Sequence, residues 1–289
     1  MRRILLAVLL MLSLTLTGCV YTTAPDAPLS DDKPLQGEKK EQESENPDTE
    51  NSQTTDPAAD PETLADCVSR YTGEAAKADE ALIRAMAAYQ EQGGRQSYEW
   101  SLLPVFSQEI APDWDSLTLY AYMMCEDTGV DAEGYSTMTA QAFDQTVERY
   151  LEGVDYTPKD SSYFTYADGV YTSTGWGDIM GDFLLPVSLT ANADGTYTME
   201  LVGYQFYEWD FVPGETTCSP LMEAFMEIAG GQRPESPKEA LLECYLDEEL
   251  RSSLPVSSQQ TVTFRLTGEE AHPFQYLSCQ RSSSLPSQS

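Results

Sequence analysis

The amino-acid sequence predicts an α+β fold, with N-terminal helices packed on an antiparallel sheet built from hairpins and two further helices before the last strand pair. Helical periodicity dominates residues 61–153, whereas apolar residues alternate along the chain after residue 160. Two Asp-Gly turns divide aromatic and β-branched runs there, which is typical of hairpins. No strand–helix–strand alternation is visible, which disfavours the two-lobed folds of most solute-binding proteins.

Four helices are expected in the first half of the domain. They are predicted at residues 61–71, 74–94, 113–127 and 136–153. In the first, Leu64, Cys67 and Val68 recur at the spacing of one helix face. The second is rich in alanine and runs into a Gly-Gly stop, and the fourth has Ser or Thr caps and ends before Gly153.

Strands are expected after residue 160. Residues 161–174 predict a hairpin about Asp168-Gly169, and residues 183–212 a longer hairpin about Asp194-Gly195. Two helices should follow, because each of two segments opens with Ser-Pro, the arrangement of an N-cap and first helical position. The later predicted elements are these two helices at 219–231 and 236–250, and a last strand pair at 259–268 and 274–281.

The N-terminus has the layout of a secretory signal peptide. Arg2-Arg3 precedes an apolar run that ends near Leu16, and this run is too short to span a bilayer comfortably, since spanning needs about 20 apolar residues. Leu16-Thr17-Gly18-Cys19 resembles the lipobox of bacterial lipoproteins. The resemblance implies that Cys19 carries a diacylglycerol and that residues 1–18 are removed. An ordinary signal peptide with a chance cysteine, or an uncleaved anchor, is the alternative.

Lipidation of Cys19 would make membrane lipid a partner and hold the protein at the extracytoplasmic face of the cell membrane. Residues 19–62 are rich in Pro, Asp, Glu, Ser and Thr, and such a composition predicts a disordered acidic tether. A flexible chain of about 40 residues spans roughly 35 Å. Residues 63–289 are predicted to form a single α+β globular domain.

The charge balance restricts the partners of this protein. The chain has 48 acidic and 16 basic residues, a formal net charge of −32. Nucleic-acid binding needs a basic footprint, which this composition lacks. Anionic headgroups and polyanionic wall polymers would be repelled. A neutral, cationic or protein ligand is therefore expected, and no cofactor motif is present, neither a glycine-rich phosphate loop nor a dinucleotide fingerprint.

The only histidine gives little support for catalysis. His272 precedes Pro273 between two predicted strands, so we expect a solvent-exposed turn residue. A single histidine also fails the usual zinc ligand sets. Five cysteines follow Cys19 at wide spacings, an odd number that cannot pair completely. We expect mostly unpaired core thiols, although export permits one or two bridges.

Paired carboxylates are the remaining enzymatic possibility, because carbohydrate hydrolases need two. The candidates lie near tryptophans: Glu99 beside Trp100, Glu208 and Asp210 about Trp209, and Asp178 with Asp182. Glu208 and Asp210 are expected on one face of a strand, which favours an exposed acidic face. The sequence thus leaves a cell-envelope hydrolase open as an alternative to a binding protein.

A non-catalytic ligand site is predicted in the loop at residues 171–183. Three glycines let it bend, Trp176 could stack on a sugar or peptide, and Asp178 could accept hydrogen bonds. Trp176 could instead plug the end of the sheet. Calcium near Asp178 and Asp182 is conceivable, but the alternating oxygen ligands of an EF-hand are missing. Trp209 is a second candidate for ligand contact.

The sequence favours a lipid-anchored surface protein that binds rather than catalyses. Its acidic tether and its Tyr-rich "ADGVY" and "ADGTY" hairpins resemble uncharacterised lipoproteins of clostridial and related Gram-positive bacteria. A ligand binder predicts an aromatic-lined pocket near Trp176 or Trp209. A hydrolase predicts two acids in one cleft, and an interaction or sensory module predicts an exposed apolar patch.

Overall fold

Helices packed on antiparallel sheets make up the part of the chain that the computed structural model describes, residues 62–175 and 181–283. The predicted α+β class is confirmed. The predicted signal peptide, Cys19 and the tether up to residue 61 lie outside the described residues, as do Trp176 and Asp178. In the described part, no helix has the length and apolar character that crossing a membrane requires.

The helices fall into the two regions that the periodicity predicts. They are α1 (Leu64–Ser69), α2 (Glu80–Glu91), α3 (Gln96–Glu99), α4 (Trp114–Met124), α5 (Ala140–Tyr150), α6 (Pro220–Ile228), α7 (Pro237–Leu246) and α8 (Glu248–Arg251), with a 3₁₀ helix at Glu208–Phe211. The Ser-Pro prediction is confirmed at both α6 and α7. Ser219 and Ser236 are N-caps whose hydroxyls accept backbone N–H groups, and a proline follows each.

The strands form two separate sheets. They are β1 (Ala76–Lys77), β2 (Thr128–Val130), β3 (Ser136–Thr139), β4 (Phe164–Ala167), β5 (Val170–Ser173), β6 (Phe183–Ala191), β7 (Tyr197–Tyr204), β8 (Ser258–Leu266) and β9 (Phe274–Ser283). The larger sheet has the order β1-β6-β7-β8-β9, and all of its neighbours are antiparallel. Its strands β8 and β9 are the last strand pair that the sequence predicts.

The prediction of one sheet is wrong, because the first hairpin belongs to a second sheet of order β2-β3-β5-β4. The turn of that hairpin is as predicted. Asp168 and Gly169 have φ of 51° and 79°, so both residues occupy the left-handed region that an Asp-Gly hairpin turn uses. Strands β2 and β3 are not among the predicted elements, since the predicted helix at 136–153 includes Ser136–Thr139.

Two predicted helices begin later than expected, and N-caps explain both cases. Asp79 accepts a hydrogen bond from the Leu82 backbone N–H (2.8 Å) and so starts α2, while Ala76–Lys77 pairs with β6. Thr139 caps α5 in the same way. The residues before each cap have an extended backbone and pair as strands, Ala76–Lys77 with β6 and Ser136–Thr139 with β2.

The cysteines in the described residues are all free thiols, in line with the predicted unpaired state. They are Cys67, Cys125, Cys218, Cys244 and Cys279. Cys67, Cys244 and Cys279 are buried, and burial raises the pKa of each thiol to about 11. Thiols in this state are unreactive, so these three cysteines act as small core residues.

Candidate functional site

A groove of about 510 Å³ lies where the start of β6, the end of α2, the helix α3, the 3₁₀ helix and the first turn of α7 meet. Its size is within the range of small-molecule sites. The lining residues are Gln90, Ser97, Tyr98, Gly181, Asp182, Phe183, Phe206, Tyr207, Glu208, Phe211 and Lys238. We call it the aromatic groove, since five of its lining residues are Phe or Tyr.

One side of the aromatic groove is held by the Gln90 side chain, which hydrogen-bonds to the backbone of β6 as a neighbouring strand would. The buried amide of Gln90 accepts the Leu184 backbone N–H (2.9 Å) and donates to the Leu184 carbonyl (2.7 Å). Both backbone groups of Leu184 at the edge of β6 are thereby satisfied. Ser97 donates its hydroxyl to the Gln90 carbonyl (2.9 Å) and links α3 to the same place. This side of the groove is therefore rigidly placed.

The opposite side is the 3₁₀ helix, and Asp210 holds it in position. The Asp210 carboxylate is 2% exposed and accepts from the backbone N–H groups of Tyr207 (2.8 Å) and Ser219 (3.0 Å) and from the Ser219 hydroxyl (2.6 Å). Because Ser219 caps α6, the turn is fixed to that helix. The expected strand through Glu208 and Asp210 is wrong: after Tyr204 the chain leaves the sheet and turns, and Asp210 has a structural role.

Three phenylalanines give the aromatic groove an apolar wall. Phe183 and Phe206 are buried and meet edge to face with ring centroids 6.3 Å apart. Phe211 packs against Phe206 at 5.5 Å and is 50% exposed. Half of the Phe211 side chain is thus accessible to solvent, and such a ring can contact the apolar face of a ligand.

Three charged side chains also line the groove, those of Lys238, Asp182 and Glu208. The Lys238 ammonium lies 5.5 Å from the centre of the Phe183 ring, in a cation–π contact. Asp182 accepts a hydrogen bond from the Ser258 hydroxyl. A Cβ on Gly203 would lie 2.6 Å from the Asp182 carboxylate, so only glycine permits this approach. The Glu208 side chain is exposed and makes no ion pair or hydrogen bond with any residue in 62–175 or 181–283.

The structure brings together acids from two different predicted pairs. Asp182 and Glu208 line one groove, whereas Asp210, the expected partner of Glu208, is buried outside its lining. Asp178, the expected partner of Asp182, lies outside the described residues. Trp209 is 45% exposed and lies beside the groove without lining it. Its carbonyl accepts a hydrogen bond from Arg233, which fixes the backbone while the ring faces solvent.

The remaining candidate acid, Glu99, lies in the core. It is 2% exposed, and its two carboxylate oxygens accept hydrogen bonds from the hydroxyls of Tyr89 (2.5 Å) and Tyr276 (2.7 Å). Burial raises the pKa of Glu99 above its ordinary value, and the two hydrogen bonds offset part of that effect. Among the described residues, no second acid contributes to this pKa, and Tyr89, Tyr120 and Tyr276 surround the carboxyl group. We call these four residues the buried glutamate cluster.

His272 is not the exposed turn residue that was expected. It lies between β8 and β9 but is only 6% exposed, and its Nδ1 is 2.8 Å from the Tyr150 hydroxyl. Its Nε2 faces Arg149 (3.2 Å) and Glu126 (3.1 Å). Burial and Arg149 lower the pKa of His272, and the opposing effect of Glu126 is smaller. The imidazole is thus a neutral hydrogen-bonding core residue at pH 7.

Most residues of the aromatic groove escaped prediction from sequence. Gln90 and Tyr98 precede Phe183 by 93 and 85 positions, and Lys238 follows it by 55, so no local pattern joins them to strand β6. A signal did exist at residues 204–211, where aromatic residues continue past the alternation of β7. Within the described ranges, no group of three His, Cys, Asp or Glu residues is arranged to hold a metal ion.

Comparisons with known proteins give no match, so the functional inference depends on the groove. The chain matches no protein-family model, no curated protein and no solved structure.

Proposed function

We propose that this protein is a lipid-anchored cell-surface protein that binds a small ligand in the aromatic groove without chemically altering it. The observation that carries the proposal is the exposed Phe211 ring on a groove that also contains the charged groups of Glu208 and Lys238. Such a combination of an apolar wall with few polar groups is typical of ligand sites. The lipobox resemblance at Cys19 supports attachment to membrane lipid.

The rigid setting of the groove supports binding. Gln90 and Asp210 are both buried. Gln90 hydrogen-bonds to backbone groups, Asp210 to backbone groups and the Ser219 hydroxyl, and the two residues place the two sides of the groove. A site formed in advance loses less entropy when its ligand binds. The charge of −32 makes a neutral or cationic ligand the better partner.

The test is a thermal-shift screen of the full chain against neutral oligosaccharides, short peptides and polyamines. A ligand that binds only the folded state raises stability by about 2.7 kcal/mol at one hundred times its Kd. We expect Phe211→Ala to abolish the shift of any ligand found. Ile110→Ala removes a similarly exposed apolar side chain elsewhere (54% exposed) and should leave the shift unchanged. Equal loss in both variants would place the site elsewhere.

The anchor has its own test. Cys19→Ala should abolish lipid labelling and membrane retention, because the thiol is the attachment point that the lipobox resemblance implies. Retention of both would refute the lipid anchor while leaving ligand binding to be judged by the thermal-shift screen.

A hydrolase is the second candidate, because Asp182 and Glu208 line the same groove. Glycoside hydrolysis needs a pair of carboxyl groups in one cleft. The Asp182 carboxylate, however, already accepts the Ser258 hydroxyl, as a structural acid does. Release of sugars from cell-wall glycan that disappears in both Asp182→Asn and Glu208→Gln would establish hydrolysis and overturn the binding proposal.

A further inference from the structure

The aromatic groove contains three charged side chains, of which Asp182 accepts the Ser258 hydroxyl, while Glu208 and Lys238 are opposite charges that form no salt bridge with each other. Glu208 and Lys238 both line it, yet no salt bridge of 4.0 Å or less joins them. Among the described residues, neither side chain has any other ion-pair partner. The Lys238 ammonium lies instead over the Phe183 ring.

Most other cations of the described residues pair with carboxylates or with backbone carbonyls. Lys77, Arg84 and Arg95 each pair with a glutamate, and Arg281 donates to backbone carbonyls. Two further cations lie over rings outside the groove lining: Arg251 over Tyr245 (4.3 Å), while it also donates to the Tyr245 carbonyl, and Lys159 over Trp114 (5.9 Å). Lys159 is therefore a matched control for Lys238.

These charges select among ligand classes. A neutral ligand that fills the groove would remove water from Glu208 and Lys238 without supplying counter-charges, which is unfavourable. A ligand with an ammonium group at one end and a carboxylate at the other offers a partner to each. The volume of about 510 Å³ exceeds what a single amino acid fills and suits a chain of two or three residues.

We infer that the aromatic groove binds short peptides with free termini, with Glu208 pairing the ammonium terminus, Lys238 pairing the carboxylate terminus and Phe211 contacting an apolar side chain. This inference rests on the proposed ligand-binding function and narrows it to one class. No covalent step is involved. The ring contact with Phe183 keeps the Lys238 ammonium at the groove wall, where a terminal carboxylate can reach it.

The probe for this inference is the tripeptide Ala-Phe-Ala, whose only charges are its termini. Isothermal titration of the full chain compares it with an N-acetylated form, a C-amidated form and the neutral sugar triacetylchitotriose. We expect the free tripeptide to bind, and each blocked form to bind about fivefold more weakly, the effect of an ion pair of about 1 kcal/mol.

Variants assign each terminus to its residue. Glu208→Gln should remove the difference between free and acetylated peptide and keep the difference between free and amidated peptide, and Lys238→Met should do the reverse. Lys159→Met should preserve both differences. Glu133→Gln, in an exposed turn, is the matched control for Glu208.

The outcomes separate the inference from the function on which it rests. Binding of triacetylchitotriose that depends on Phe211, with no binding of Ala-Phe-Ala, would overturn the peptide inference and leave the groove as a ligand site. Equal binding of free and blocked peptides would overturn the assignment of the two charges. Absence of binding by peptide and sugar alike, at millimolar concentration, would count against both.

Discussion

The tripeptide Tyr-Glu-Trp occurs twice in this chain, at residues 98–100 and 207–209, and the two copies have opposite environments. In the first copy Glu99 is 2% exposed and Trp100 is 0% exposed. In the second copy Glu208 is exposed and Trp209 is 45% exposed. Both tyrosines, Tyr98 and Tyr207, line the aromatic groove.

The difference shows that the neighbouring elements, and not the tripeptide, decide what a glutamate beside a tryptophan does. The first copy ends α3 and faces the large sheet, where Trp100 packs edge to face on rings of β8 and β9. The second copy starts three residues after β7 ends, where the chain has left the sheet, and its glutamate and tryptophan are exposed. The first copy therefore stabilises the fold, and the second is available to a ligand.

The largest expected effect that tests this contrast is on the two tryptophans. Trp100→Ala should lower the free energy of unfolding by about 3–5 kcal/mol, because it deletes a buried ring whose neighbours cannot collapse into the space. Trp209→Ala should change it by about 0.5 kcal/mol or less, as surface substitutions do. Urea denaturation measures both values. Similar losses in the two variants would refute the contrast.

The two glutamates provide the next test. Glu99→Gln should cost about 1–3 kcal/mol, because an amide cannot accept hydrogen bonds from both tyrosine hydroxyls as the carboxylate does. Glu208→Gln, at an exposed position, should be close to neutral. Both values come from urea denaturation at one pH, with the second variant as the control.

The pH dependence of stability should differ between these variants. Since the pKa of Glu99 is raised in the folded state, its contribution is most favourable below the ordinary glutamate value of about 4.3 and is lost as pH rises through the folded-state pKa. Glu99→Gln should remove this loss of folding stability with rising pH, whereas Glu208→Gln should keep it. A decline of equal slope in wild type and Glu99→Gln would contradict the raised pKa.

The smallest effect concerns His272, which is buried beside Tyr150. As the only histidine, it gives an unambiguous imidazole NMR signal in an untagged chain. We expect its titration midpoint below the ordinary value of about 6.5, and Arg149→Gln should raise it, because the guanidinium disfavours the imidazolium. Arg84→Gln, at a distant ion pair, should leave the midpoint unchanged.

The direction of the associated stability change follows from the lowered pKa of His272. The folded state binds fewer protons than the unfolded state, so the contribution of His272 is complete above about pH 6.5 and is lost as pH falls. A midpoint above 6.5 would show that Glu126 outweighs burial and Arg149.

The secondary structure was largely predictable because it depends on local signals. Hairpin turns such as Asp168-Gly169 and caps such as Ser219 act within a few residues, and the structure confirms them. The second sheet was missed because pairing of β3 with β5 joins segments that are distant in the sequence. Local periodicity contains no information on such pairing.

The candidate site was predictable only in part for the same reason. Glu208 and Asp182 were identified as acids near tryptophans, but their partners in the groove were not. Lys238 reaches Phe183 across 55 positions of the chain, and only the folded structure brings them together. Burial of His272 depends on α5 packing beside the β8–β9 turn, which a turn-like sequence before Pro273 does not indicate.

The central claim, that the second Tyr-Glu-Trp copy contributes to binding and the first to stability, is tested most directly by one paired titration. Ala-Phe-Ala is titrated into the full-length Glu99→Gln and Glu208→Gln proteins at a temperature at which both are folded. We expect affinity to be unchanged in Glu99→Gln and about fivefold weaker in Glu208→Gln. Loss of affinity in Glu99→Gln with normal affinity in Glu208→Gln would contradict the claim.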